Sequence, residues 1–224
     1  MKKSILKIVG LQIIICGLIL LISTPFQSCK KPYEPPCDTC GIRALKPNIY
    51  LYPTEKSQLN VNLSFPLGGK IVTSIPNYNS GWKIVVDPSG LINDKYQFLF
   101  YESDQPNIWQ LDKGWIIKKT DLNTFFSNNM SKYGFQGREI TDFLDYWIPR
   151  LTNSEYYEIY PQETNVVQTV IKLDISKTPD NILRLFYVIK GTNNKSNTKI
   201  TLPTEPVQFI RTGFCVTEWG VILK

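Results

Sequence analysis

The chain has 224 residues, 42% of them apolar and 20% charged, which suffices for one or two domains with a hydrophobic core and excludes fibrous, collagenous and wholly disordered classes. It contains no histidine, so imidazole is excluded as metal ligand, general base or middle member of a nucleophilic triad. The formal charge of +6 falls by half once Lys2, Lys3 and Lys7 are set aside, which argues against a nucleic-acid partner.

The amino end carries its own message. A positive stretch, Met1 to Lys7, precedes the run Ile8 to Ile22, apolar except for Gln12, in the order of an export signal. Ser28 then stands directly before Cys29, and Lys30-Lys31-Pro32 follow. A small residue before a cysteine resembles a bacterial lipoprotein signal, with residues 1–28 removed and Cys29 lipidated. Phe26 and Gln27 depart from the stricter form of that signal; an uncleaved anchor and ordinary secretion are the alternatives. Acylation at Cys29 predicts an extracytoplasmic protein attached to a bacterial membrane, the outer membrane by preference, because several buried chains hold where one is marginal. Residues 29–46 carry three prolines and few core residues, and read as a tether.

With Cys16 in the signal and Cys29 in lipid, Cys37, Cys40 and Cys215 remain. Cys37 and Cys40 have redox-pair spacing but no βαβ context, and three thiols without histidine fall short of a zinc site. A disulfide is the expectation, between Cys37 and Cys40 or from one of them to Cys215, with a buried free thiol as the alternative for Cys215. No metal and no cofactor is implied.

From residue 47 onward the chain reads as one strand-rich domain. Ile49–Tyr52 closes at Pro53. Leu59, Val61, Leu63 and Phe65 alternate with polar residues, the period of a half-buried strand. Gly68-Gly69 turns into Lys70–Ile75, Asn79-Ser80-Gly81 into Trp82–Val86, and Asp87-Pro88-Ser89-Gly90 matches type I turn preferences. Tyr96–Tyr101 and Trp115–Lys118 follow, and together these predict a meander of hairpins. A helix capped by Thr120 or Asp121 runs through Leu122, Phe125, Phe126 and Met130 to Gly134. A second spans Arg138–Ile148, with Ile140, Phe143, Leu144 and Trp147 on one stripe and Pro149 at its end. The two helices form an insert around residues 121–149 that covers a sheet. Strands are predicted again over Tyr156–Tyr160, Val166–Ile175, Leu183–Ile189, Val207–Ile210 and Phe214–Ile222. The predicted class is α+β: mostly antiparallel strands, sandwich-like or strongly twisted, with a two-helix insert packed on the sheet.

Three phrases stand out: Lys46-Pro47-Asn48-Ile49-Tyr50-Leu51-Tyr52-Pro53, Gly137 through Pro149, and Arg211 through Gly220. With Tyr78–Lys83 and Tyr96–Glu102 between them, the chain resembles a family of uncharacterised secreted or surface proteins over residues 46–220. The resemblance implies kinship and no reaction. It also implies valine in relatives at the position of Cys215, which favours a buried side chain there, and acidic residues at the positions of Glu102 and Glu218.

Candidate chemistry rests on carboxylates beside aromatic residues: Glu102, Glu139, Asp142 and Glu218. Two of them in one cleft at the proper separation would serve as acid and base on a glycosidic bond. Structural pairing with arginines is the competing explanation. Arg138 and Arg211 are candidates to grip an anion or to brace the fold. Trp82, Trp109 and Tyr101 are candidates to present flat apolar faces to a glycan or peptide, or else to fill a core. No phosphate loop or nucleophile motif stands in the chain. The expected function is a noncatalytic binding module for glycan, peptide or a partner protein. A carboxylate hydrolase acting on polysaccharide or peptidoglycan is the first alternative, and a structural or assembly component of the cell envelope the second. An exposed aromatic row favours the module, carboxylates sharing a cleft favour the enzyme, and buried rings beside an exposed apolar surface favour the structural component.

Overall fold

The structure, a computed structural model, describes residues 41–193 and 200–224. The signal, Cys29, Cys37, Cys40 and all but the last residues of the tether lie outside the described residues. The fold is α+β and mainly antiparallel. Its strands are β1 (Ile42–Tyr52), β2 (Ser57–Ser64), β3 (Lys70–Ile75), β4 (Trp82–Val86), β5 (Leu99–Gln105), β6 (Trp115–Lys118), β7 (Tyr156–Gln162), β8 (Lys172–Ile175), β9 (Asn181–Thr192) and β10 (Cys215–Leu223). The helices are α1 (Leu122–Tyr133), α2 (Arg138–Trp147) and α3 (Thr164–Val170).

Seven strands form the central sheet in the order β3-β5-β1-β10-β9-β7-β6, and β4-β2-β8 form a smaller one. All pairings are antiparallel except β9 with β10. Buriedness follows position. The central β10 is buried at every position but its last, whereas β2 alternates buried and exposed, with Leu59, Val61 and Leu63 inward and Asn60, Asn62 and Ser64 in water.

The large sheet separates two cores. Ile49, Leu51, Val216, Ile222, Phe186 and Val188 on one face meet Leu59, Val61, Trp82 and Ile84 of the small sheet, together with Val167 and Val170 of α3. Tyr50, Leu185, Tyr187, Trp219 and Val221 on the other face meet Phe126, Met130, Phe143 and Trp147 of the two-helix insert. Phe143 is the hub of that second core: its ring lies 4.9 Å from Phe126, 5.8 Å from Tyr187 and 5.2 Å from Trp219. Such edge and tilted contacts add to the gain from burying the rings. α1 ends at Gly134, whose φ of 108° lets its N–H reach the carbonyls of Met130 and Ser131.

Several expectations are corrected. The hairpins do not form one meander: β2 pairs with β4 and β8 in the small sheet, so Gly68-Gly69 carries the chain from one sheet to the other. Residues 166–175 are not one strand. Val167 and Val170, three apart, pack one face of α3 into the first core, and only Lys172–Ile175 is extended; burial there overrides the β preference of valine. Val207–Ile210 pairs with no strand; Val207 is 94% exposed and follows Pro206. The tether expected to reach residue 46 gives way to β1 at Ile42. Cys215 is a buried free thiol; Cys37 and Cys40, its two candidate disulfide partners, lie outside the described residues. No helix among the described residues is long and apolar enough to cross a membrane.

Candidate functional site

The start of β1 contains an irregularity that both of its neighbours record. Against β10, partners step from Leu45↔Val221 to Asn48↔Trp219; against β5, from Ala44↔Ser103 to Asn48↔Phe100. Each ladder accommodates one extra residue on β1, a bulge at Lys46-Pro47. Lys46 takes up the distortion with φ of 55°, a left-handed conformation that non-glycine residues adopt at a cost and that a following proline further disfavours.

This turn of the backbone sends the Lys46 side chain across the helix-facing side of the sheet. Its Nζ donates to Asn48 Oδ1 at 2.9 Å and lies 4.5 Å from the Phe98 ring centre, 4.6 Å from Phe100 and 5.5 Å from Tyr146. The Asn48 amide donates to Tyr50 Oη at 3.4 Å, and Tyr50 Oη donates to Asp142 Oδ2 of α2 at 2.9 Å. Burial lowers the Lys46 ammonium to about 8, partly opposed by the negative charges of Asp142 and Glu102 and assisted by Arg150. Burial likewise drives the Tyr50 phenol far above its ordinary value, so it stays a donor. The three aromatic side chains around Lys46 and Glu102 itself are partly exposed, which leaves the cluster open to solvent.

The second assembly braces α2 to the sheet. Glu139 is fully buried at the helix start, where it accepts from Thr217 Oγ1 at 2.7 Å, from the Gln136 backbone N–H at 2.9 Å and from Arg211 at 2.5 Å. Arg211 also donates twice to the Gly134 carbonyl, at 3.1 and 3.0 Å, tying the end of α1 to the same point. Cys215 lies near this group, and burial raises its thiol pKa, which makes it a poor nucleophile.

On the opposite face of the sheet, Glu218 and Arg184 form an ion pair with neither side chain exposed. Arg184 Nε donates to Glu218 Oε2 at 2.5 Å, and its Nη1 donates to Gln168 Oε1 and the Ile171 carbonyl. Tyr101 Oη completes the carboxylate by donating to Oε1 at 2.7 Å. Consecutive residues of β10 thus serve opposite faces: Thr217 meets Glu139, and Glu218 meets Arg184.

The sequence-predicted residues therefore divide. Glu102 and Asp142 both act on Lys46, while Glu139 and Glu218 are separated by the sheet and committed to other partners. Arg138 is exposed in the first turn of α2; Arg211 is the brace just described. Trp82, Trp109 and Tyr101 are 2%, 5% and 0% exposed, and this corrects the reading of them as ring faces open to a ligand. Trp82 packs between Tyr78 and Tyr101, and Trp109 stacks on Phe186, because their apolar area is worth more inside the core than on its rim.

Lys46, Asn48, Tyr50 and Arg184 were missed as parts of these clusters. A signal for the bulge does stand in the sequence: Ala44, Ile49 and Leu51 share one core, and the odd spacing from 44 to 49 breaks strict alternation by one residue. Elsewhere, Leu202, Val207 and Ile210 project 71%, 94% and 63% exposed from a strap that crosses from β9 towards β10. Part of that strap, with Tyr133, Glu163, Asp180 and Asn181, lines an open cavity of about 440 Å³. Among the described residues no three metal-ligating side chains gather. Comparison of the chain with models of protein families, with curated proteins and with solved structures finds no match.

Proposed function

We propose that this chain is a lipid-anchored extracytoplasmic protein whose folded domain binds a partner and catalyses no reaction on it. The observation that carries the noncatalytic reading is the commitment of Glu139 and Glu218. Each is buried, fully hydrogen-bonded and paired with an arginine, and they lie on opposite faces of one sheet. A glycosidic acid and base must flank one bond, which that separation forbids to this pair.

The partner class follows from what is exposed. With Trp82, Trp109 and Tyr101 in the core, these three rings are withdrawn from any sugar. Leu202, Val207 and Ile210 instead offer apolar side chains along one strap, which favours a peptide or protein of the cell envelope over a glycan. The sequence before Gly41 supplies the anchor: a charged and apolar leader ending at Ser28-Cys29, then a proline-rich tether.

The test uses detergent-solubilised membranes and native electrophoresis. The full-length protein is expected to migrate in a complex larger than the single chain. The L202S/V207S/I210S variant, with its unfolding temperature unchanged, is expected to migrate as the single chain. Migration of the unaltered protein as a single chain contradicts the partner reading.

A further inference from the structure

We propose that Lys46 is a nucleophilic amine that captures a neutral aldehyde as a reversible imine. The proposal concerns the cluster at the β1 bulge, which partner binding by the strap does not use. Four observations converge there.

The backbone is distorted at this one residue of β1, in both ladders and with a left-handed φ, which brings the amine onto the helix-facing side of the sheet. Strain of this kind persists where the surroundings enforce it. Phe98, Phe100 and Tyr146 surround the amine and displace part of its water, while their ring faces attract the charged form. Asn48, held by Tyr50 and through it by Asp142, fixes its direction with a single hydrogen bond. Finally, Lys46 and its aromatic neighbours keep partial access to solvent, so a small carbonyl compound can approach. A desolvated lysine is the usual route to an amine that reacts at neutral pH, and burial lowers this one to about 8.

In the reaction the free amine nitrogen bonds to the carbonyl carbon and the carbonyl oxygen becomes a hydroxyl. That oxygen then leaves as water with both amine protons, and a C=N bond remains. No oxidant or reductant is consumed. The chemical class is set by the walls: aromatic rings favour an apolar body. Once the amine is neutral, Asp142 and Glu102 outnumber Arg150 as charges bearing on it, which disfavours an anionic aldehyde.

The experiment is reductive trapping on the intact protein with propanal and cyanoborohydride, followed by peptide mass spectrometry. At pH 7, Lys46 is expected to be alkylated at least about tenfold faster than the exposed Lys83, because burial leaves a larger share of the Lys46 amine in its free, nucleophilic form. The Lys46 rate is expected to reach half its maximum near pH 8. Phe100→Ala, which admits water, should move that midpoint upward; Asp142→Asn, which removes an opposing charge, should move it downward. Lys46→Arg keeps the cation and should abolish the product at this position. With glyoxylate, the ratio of Lys46 to Lys83 should fall below that with propanal. Alkylation of Lys46 in the folded protein no faster than Lys83, or a midpoint near 10.4, overturns the proposal, and a glyoxylate ratio equal to that of propanal overturns the choice of a neutral aldehyde. None of these results bears on the complex seen by native electrophoresis.

Discussion

Replacing Glu218 by glutamine removes one charge from an ion pair that has no access to water. The amide oxygen of glutamine can still accept from Arg184 Nε, but the guanidinium loses its counter-charge and is left with neutral partners, Gln168 and the Ile171 carbonyl among them, and its Nη2 already has no hydrogen-bond partner among the described residues. Breaking a buried pair from one side costs about 3–5 kcal/mol, because the remaining charge is left uncompensated. A domain of this size has a stability of about 5–15 kcal/mol, so Glu218→Gln should remove a third or more of it in the middle of that range. At about 2–4 °C per kcal/mol, the unfolding temperature should fall by about 6–20 °C. The control is the triple variant R184M/E218L/Y101F, which replaces the pair and the attached phenol with apolar groups of similar volume. Apolar replacement of a whole buried network is close to neutral, so this variant should be more stable than Glu218→Gln despite carrying more changes. Urea and thermal unfolding of the three proteins decide the matter. A Glu218→Gln loss below about 1 kcal/mol, or a triple variant no more stable than the single one, refutes the bracing role.

The Lys46 amine should also leave a mark on stability. Its folded-state value, about 8, lies below the ordinary 10.4, so between those values the unfolded chain binds more protons and stability rises with pH. Above about pH 10 the trend reverses, because burial raises the phenols of Tyr50, Tyr52 and Tyr133 and the folded state then holds more protons. The unfolding temperature of the native protein minus that of Lys46→Met should therefore increase from pH 7 to pH 10; a flat difference contradicts the perturbed amine. Trp82→Ala should cost about 3–5 kcal/mol in urea unfolding, as expected of a core ring; a loss under 1 kcal/mol would return Trp82 to the surface. Gly134→Ala should cost about 1–3 kcal/mol, since its φ is 108° and a Cβ there would stand 2.5 Å from Phe209 Cβ; an unchanged unfolding temperature counts against that packing.

Much of the architecture was legible in the sequence, for reasons that differ by element. The α2 stripe was readable because one helix face meets the sheet while the other meets water, and β2 because its alternation is strict. α3 was hidden because seven residues rich in valine and threonine carry no helical preference of their own; contact with β9 and the small sheet decides their state. The sheet order was beyond reach, since turn chemistry tells where a strand ends and not which sheet the next one joins. The candidate residues were legible as types. That Glu139 and Glu218 lie on opposite faces follows from side-chain direction along β10 and from the placing of α2, which only the assembled fold supplies. The exposed ring faces were misread because tryptophan and tyrosine are equally at home in a strand-rich core. Lys46 escaped attention because a lysine beside a proline at the end of a tether is ordinary until the bulge turns it onto three rings.

The proposed placement at a membrane is tested most directly by intact-mass and peptide mass spectrometry of the protein isolated from whole cells that produce it. The expected product begins at Cys29, with acyl chains on that residue and no trace of residues 1–28. Ser28 still joined to an unmodified Cys29 contradicts it.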